Sequence, residues 1–127
     1  MPILHEIDEA AGTVTVTGEG DITHEEDLAC FGAVLGNPAY RPGMGLLLDY
    51  RKRSSVATTD QVKEFVEAGA KLREALGDSR LAVVVSEEIA YGMSRMYSML
   101  AESESVPTRS FRDIGEAMHW LGGVSPA

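Results

Sequence analysis

Two apolar runs, each followed directly by the start of an amphipathic stretch, constrain the fold of this chain most strongly. The runs are Gly45–Tyr50 and Leu81–Ser86. Strands that are apolar on both faces are typical of the centre of a sheet that helices cover on both sides. We therefore expect an α/β domain. Sheets of this kind bind their ligands outside the carboxyl ends of the strands, so we expect a binding site at the turns that follow these two runs.

The rest of the chain supplies the remaining strands and the helix signals. Ile3–Asp8 and the alternating Thr13–Thr17 predict a hairpin. Val106–Phe111 predicts a last strand, and because Pro107 cannot donate to a ladder, this strand lies at an edge or starts late. Residues that can cap helices precede four helical patterns, at Thr23, Thr58, Ser86 and Asp113. The expected order is β-β-α-β-α-β-α-β-α, which gives a mostly parallel five-stranded sheet with right-handed crossovers and four helices. We expect one domain over residues 1–122 and a C-terminal tail over 123–127.

Helical spacing also predicts which side chains reach the core. Leu28, Phe31 and Leu35 form the apolar stripe of the first helix, and the neighbouring acidic residues from Glu19 to Asp27 are expected mostly to favour its N-terminus. In the second helix the stripe runs through Val62, Phe65, Val66, Gly69, Leu72 and Leu76, and Gly77 ends the pattern.

Four methionines lie on the last two helices; Met93, Met96 and Met118 are expected in the core, whereas Met99 lies off its stripe. Trp120 is expected to be partly buried, with an exposed interface anchor as the alternative.

Composition narrows the classes of function. The 127 residues include 20 acidic and 11 basic ones, and the net charge of −9 should repel nucleic acid and anionic membranes. The single cysteine, Cys30, excludes an internal disulfide, and the sequence shows neither a signal peptide nor a bilayer-spanning stretch, so we expect a cytoplasmic protein. No metal-ligand spacing, phosphate-binding glycine loop or nucleophile–base set is visible. We therefore expect no metal, no cofactor and no enzymatic activity.

The order of elements resembles the STAS domain of the SpoIIAA-type anti-sigma-factor antagonists, and most closely the small bacterial SpoIIAA-like (STAS/SEC14-like) proteins. The likeness extends from Ile3 to Leu121. The residues that carry it are Leu47-Leu48-Asp49, Ala82-Val83-Val84-Val85, Tyr91-Gly92-Met93-Ser94-Arg95-Met96-Tyr97, Phe111-Arg112-Asp113, Glu116-Ala117 and Trp120-Leu121.

The STAS resemblance implies a protein-interaction or regulatory module without enzymatic activity. The SEC14-like resemblance implies an alternative, a carrier or sensor of a small apolar or anionic ligand at the carboxyl edge of the sheet, between the second and third helices. In the antagonists a serine just past the third strand is phosphorylated, within a motif resembling Asp-Ser-Ser-Gly. That motif is absent here, so no phosphosite is carried over to the hydroxyls of Ser54, Ser55, Thr58 and Thr59. A homodimer stays open, because two-fold pairs are the commonest assemblies.

The turn after the third strand holds the only basic run, Arg51-Lys52-Arg53, which we expect in a loop before a helix N-terminus. Solvated charges are the simpler interpretation; the functional one is a surface for a phosphate, a carboxylate or an acidic partner. On the third helix Tyr91 and Arg95 share a face, either as a tyrosine packed under an arginine stem or as polar handles of a pocket wall. The candidate ligand- or partner-binding residues are Asp49, Arg51, Lys52, Arg53, Ser54, Ser55, Thr58, Ser86, Tyr91 and Arg95.

Overall fold

Five strands form one sheet whose spatial order equals their order in the chain, β1-β2-β3-β4-β5. The computed structural model describes residues 3–53, 58–71, 73–77, 79–86, 92, 95 and 107–122. β1 is antiparallel to β2, and every later pair is parallel, which confirms the predicted α/β class and its mostly parallel sheet. The strands are β1 (Ile3–Asp8), β2 (Thr13–Gly20), β3 (Gly45–Arg53), β4 (Leu81–Val84) and β5 (Thr108–Phe111).

Four helices are described: α1 (His24–Gly36), α2 (Thr59–Lys71), α3 (Arg73–Leu76) and α4 (Ile114–Gly122). The predicted third helix, with its stripe from Ile89 to Leu100, lies outside the described residues except for Gly92 and Arg95, which are both helical. The second predicted helix corresponds to α2 together with the short α3. Gly77, with a φ of 66°, ends this helical segment, as expected. None of the helices in the described part of the chain combines the length and the apolarity that crossing a bilayer demands.

The two faces of the sheet bury different residues, because successive side chains of a strand point to opposite sides. What we call the first face carries Val14, Val16, Leu46 and Val83, and it packs against α1 and α3. The second face packs against α4 and is smaller. Its cluster consists of Leu47, Ala82, Val84, Phe111 and Ala117, with Ile114, Trp120 and Leu121 alongside. Burial on both sides explains why β3 and β4 are apolar without alternation.

β3 is longer than the sequence predicts, so Arg51, Lys52 and Arg53 belong to a strand and not to a loop. The strand continues because β2 also continues, and the two pair again at Glu19↔Lys52 and Gly20↔Arg53. Period-two hydrophobicity cannot reveal this extension, because the residues involved are glycines and charges rather than alternating apolar side chains.

The capping predictions are confirmed for α1. Thr23 Oγ1 accepts a hydrogen bond from the backbone N–H of Glu26 at 3.1 Å, and Glu26 Oε1 accepts one from the N–H of Thr23 at 3.0 Å. The predicted core stripe of this helix is wrong in part. Leu28 is 37% exposed, whereas Asp27 and Val34 are buried. The helix turns Asp27 inward because this carboxylate has a buried cationic partner on the sheet.

One methionine prediction on α4 is also wrong, because Met118 is 39% exposed instead of lying in the core. The helix is placed by Ala117, which has no exposed surface and packs against the second face. Trp120 is partly buried, as expected, with its ring 5.8 Å from that of Phe111 and under the guanidinium of Arg80. Met93, Met96 and Met99 lie outside the described residues.

Candidate functional site at the carboxyl rim of the sheet

The carboxyl ends of β3 and β4 lie side by side. Ser86 Oγ, just past β4, donates a hydrogen bond to the backbone carbonyl of Arg51 at 2.8 Å. The backbone N–H of Val85 donates to the carbonyl of Phe111 at 3.0 Å, which brings the end of β5 to the same edge. The prediction that the turns after β3 and β4 share one edge is therefore confirmed. We call Asp49, Arg51, Lys52 and Ser86, which lie at this edge, the rim.

The Asp49 and Arg51 side chains of the rim form a bidentate ion pair. Arg51 Nε lies 2.8 Å from Asp49 Oδ1, and Nη2 lies 2.8 Å from Oδ2. The hydrogen bonds from Arg51 hold the pKa of the Asp49 carboxyl below its ordinary value, although partial burial acts in the opposite direction. The Arg51 side chain is 45% exposed, so this ion pair lies at the surface and is not buried.

Lys52 forms a looser pair across the strands. Its Nζ lies 3.7 Å from Glu19 Oε1, and both side chains are exposed. The pairing follows from the register, which places Glu19 of β2 directly opposite Lys52. Exposed pairs of this kind contribute little to stability, with measured values of roughly 0.2–1 kcal/mol. Lys52 and Glu19 therefore add exposed charges of both signs to this edge.

Arg53 does not belong to the exposed surface, because a bulge turns it toward the first face. Between Thr17↔Asp49 and Glu19↔Lys52, β2 advances by two residues and β3 by three. One extra residue in a strand moves every following side chain to the other side of the sheet. Arg53 therefore points into the molecule, where its side chain is only 11% exposed.

The inward-pointing Arg53 binds Asp27 of α1. Its Nη1 and Nη2 lie 3.0 and 2.8 Å from the two carboxylate oxygens, and the Asp27 side chain is only 3% exposed. The Tyr50 hydroxyl donates to Asp27 Oδ1 at 3.3 Å, and the guanidinium lies 4.9 Å from the centroid of the Tyr50 ring. Burial raises the pKa of Asp27, and the hydrogen bonds and charge of Arg53 oppose this shift. Burial also raises the pKa of the Tyr50 hydroxyl.

The structure thus separates the candidate residues into groups. Asp49, Arg51, Lys52 and Ser86 come together at the rim, whereas Arg53 belongs to the buried cluster. Thr58 caps α2: its Oγ1 accepts from the N–H of Gln61 at 3.2 Å, and Gln61 Oε1 accepts from the N–H of Thr58 at 3.0 Å. Arg95 is exposed. Ser54, Ser55 and Tyr91 lie outside the described residues.

Sequence reasoning did not find Asp27 or Tyr50. The acidic segment was assigned mainly to the N-terminus of α1, yet Asp27 is the residue of that segment that lies buried. A signal was present, because Asp27, Phe31 and Val34 follow the i, i+4, i+7 spacing of a core-facing stripe. A carboxylate on such a stripe indicates a buried partner, and the basic run after the third strand offered one.

The cavity on the first face is too small for an organic ligand. A cavity of about 30 Å³ remains on the first face, lined mainly by apolar side chains of α1 and the sheet and bordered by Phe65 of α2. Such a space holds a water molecule or two. Cys30 lines it, and burial raises the pKa of this thiol, as expected for a structural cysteine. Among the described residues, no three His, Cys, Asp or Glu side chains gather in a way that could hold a metal ion.

Comparison with known proteins identifies the fold. The chain is similar in structure to an uncharacterized protein from Shewanella loihica PV-4, of the DUF3478 family and with a SpoIIAA-like fold. The superposition covers 94% of this chain and 91% of that one, with a TM-score of 0.60 and 16% sequence identity. No family model and no curated protein matches the sequence. The chain thus has the SpoIIAA-like α/β fold, as the resemblance of its sequence implied.

Proposed function

We propose that this protein is a non-enzymatic STAS-like interaction module that binds a protein partner through the rim. The observation that carries the proposal is the 2.8 Å hydrogen bond from Ser86 Oγ to the Arg51 carbonyl. This bond ties the end of β3, with the exposed charges of Arg51 and Lys52 and the partly buried Asp49, to the residue after β4. Fixed charges of both signs give an interface its register and its partner specificity.

The small cavity on the first face and the occupied guanidinium of Arg53 also support a surface function. Ligand pockets usually measure roughly 300 Å³ or more, about ten times the cavity beside Cys30. The guanidinium of Arg53, which the sequence placed in an anion site, is occupied by the Asp27 carboxylate. The other two cations, Arg51 and Lys52, pair with the carboxylates of Asp49 and Glu19. Such pairs suit a surface that recognises charges of both signs rather than a single anion.

The proposal is tested with the full chain, tagged and expressed in its own cells, as wild type and as the double variant R51A/K52A. Quantitative mass spectrometry of the co-purified proteins should show a partner that the wild type retains and the double variant loses by at least about tenfold, which corresponds to about 1.4 kcal/mol of binding free energy. The control is K63A/K71A, which removes the same charge from two exposed positions of α2. The control should retain the partner.

Two results would contradict the proposal. One is equal loss of every co-purified protein in the rim variant and in the control, which would indicate a nonspecific effect of charge. The other is a small molecule bound stoichiometrically in native mass spectra while no protein depends on the rim. That outcome would favour the carrier or sensor at the carboxyl edge between the second and third predicted helices.

A further inference from the structure

A second surface lies at the opposite, amino edge of the sheet, on the second face. α4 covers this face over β3 and β4, and no helix among the described residues covers the hairpin of β1 and β2 beside it. A cleft of about 780 Å³ lies between the hairpin and α4. Its position at the amino edge follows from its lining, which includes Gly12 and Thr13 at the start of β2 and Gly45 at the start of β3.

The cleft has one apolar wall. Met118 and Leu121 of α4 and Leu47 of β3 line it, and Met118 is 39% exposed. Exposed methionine is well suited to a partner surface, because its flexible thioether adapts to differently shaped apolar groups. The opposite wall is the edge strand of the described sheet, since β1 pairs only with β2 there.

The charge of the lining is of one sign. Glu6, Asp8 and Glu9 line the cleft, and the described lining contains no lysine, arginine or histidine. The nearby Arg41 donates a hydrogen bond to the backbone carbonyl of Glu9 at 3.4 Å. Like charges brought together across a two-fold axis would repel each other, so a second copy of this chain does not fit this cleft. A partner of opposite charge does.

We propose that this cleft binds a basic segment of a partner protein, with lysine or arginine side chains against Glu6, Asp8 and Glu9 and an apolar anchor against Met118 and Leu121. The site is separate from the rim, which lies at the other end of the same parallel strands. The inference therefore goes beyond the proposed function and can hold or fail independently of it.

The test uses the full chain, immobilised, against a random 12-residue peptide library displayed on phage. Enriched peptides should combine basic residues with large apolar ones. The best of them, synthesised with a fluorescent label, should bind E6K/E9K at least about tenfold more weakly than wild type in anisotropy titrations, or about 1.4 kcal/mol. The substitution M118D should also weaken binding, because it removes the apolar anchor site. Circular dichroism melts verify that each variant is folded.

The matched control is E67K/E74K, which makes the same change of charge at exposed positions of α2 and α3, the helices that flank the first face. This control and R51A/K52A should both bind the peptide within about twofold of wild type, which separates the cleft from net charge and from the rim. Failure to enrich basic peptides, or equal weakening in E6K/E9K and E67K/E74K, would overturn the proposal. Spermidine that binds the wild type while no peptide is enriched would also overturn it, by assigning the cleft to small polycations.

Discussion

At the scale of single residues, three consecutive cations have three different environments. Arg51 pairs with Asp49 at the surface, Lys52 reaches across to Glu19 in solvent, and Arg53 is buried against Asp27. The alternation of strand side chains and the extra residue in β3 are sufficient to explain this separation. Identical charges in sequence therefore have unequal effects on stability.

Removal of Arg53 should be far more costly than removal of Arg51. The substitution R53M leaves the buried Asp27 carboxylate without its partner, and we expect a loss of about 3–5 kcal/mol in the free energy of unfolding at neutral pH. The control R51M breaks an exposed pair and should cost less than about 1 kcal/mol. The double variant D27N/R53M should recover part of the loss, because it removes the unpaired charge as well. Urea unfolding measures all three; equal losses in R53M and R51M would show that the pair is not buried as described.

The Asp49 carboxyl predicts a dependence of stability on pH. Its pKa is lowered in the folded protein by the hydrogen bonds from Arg51, so the folded state holds this proton less tightly than the unfolded chain does. The stabilisation is therefore present above the ordinary value of 3.8 and is lost as the pH falls through the lower folded value. The variant D49N should be less stable than wild type at pH 6, by less than about 1 kcal/mol because the pair is partly exposed. Urea unfolding at a series of pH values should show the difference between the two proteins narrowing as the pH falls below 3.8; a constant difference would contradict the assignment.

At the scale of elements, the extended pairing of β2 with β3 depends on Gly18. A Cβ atom at this position would lie 2.6 Å from Ile22 Cδ1 and 2.9 Å from Tyr50 Cδ1, closer than atoms in proteins pack. Gly18 therefore lets the Tyr50 ring cover the strand where the register shifts, and the hydroxyl of the same residue donates a hydrogen bond to Asp27. The bulge, the tyrosine and the buried ion pair form one connected unit that joins α1 to the sheet.

The substitution G18A should destabilise the protein by about 1–3 kcal/mol, because either Ile22 or Tyr50 must move to accept the added methyl group. The control is G32A in α1, where a Cβ atom would meet no atom within 4 Å. Alanine is the better helix former there, so this variant should be neutral or more stable by up to about 1 kcal/mol. Thermal melts and urea unfolding compare the two; a neutral G18A would mean that the close contact between the hairpin and Tyr50 can relax freely.

Much of the element order could be predicted from the sequence, and the reasons are local. Strand Ile3–Asp8, the capping box of α1 and the end of the second helix at Gly77 each depend on residues close in the chain. The errors have a different origin. Arg51–Arg53 were expected in a loop because the extension of β3 depends on its pairing with the distant residues Glu19 and Gly20. Leu28 was expected in the core because the rotation of α1 depends on the distant Arg53, which binds Asp27.

At the scale of the whole molecule, one sheet presents two candidate surfaces of different character. The rim carries charges of both signs, and the cleft at the amino edge carries three carboxylates beside an apolar wall. The net charge of −9 favours association with cationic partners from a distance. A single small domain with these two edges could contact two partner segments at once.

The sequence by itself determined the α/β class, the order of the described strands and the edge at which the turns after β3 and β4 meet, because hydrophobic periodicity and chain connectivity act locally. Only the tertiary structure decided which charges are exposed and which are buried. A shift of one residue in the pairing of β2 with β3 sends Arg53 inward to Asp27 and leaves Arg51 and Lys52 outside. This register depends on contacts between segments that are distant in the chain, so it cannot be predicted from either segment alone.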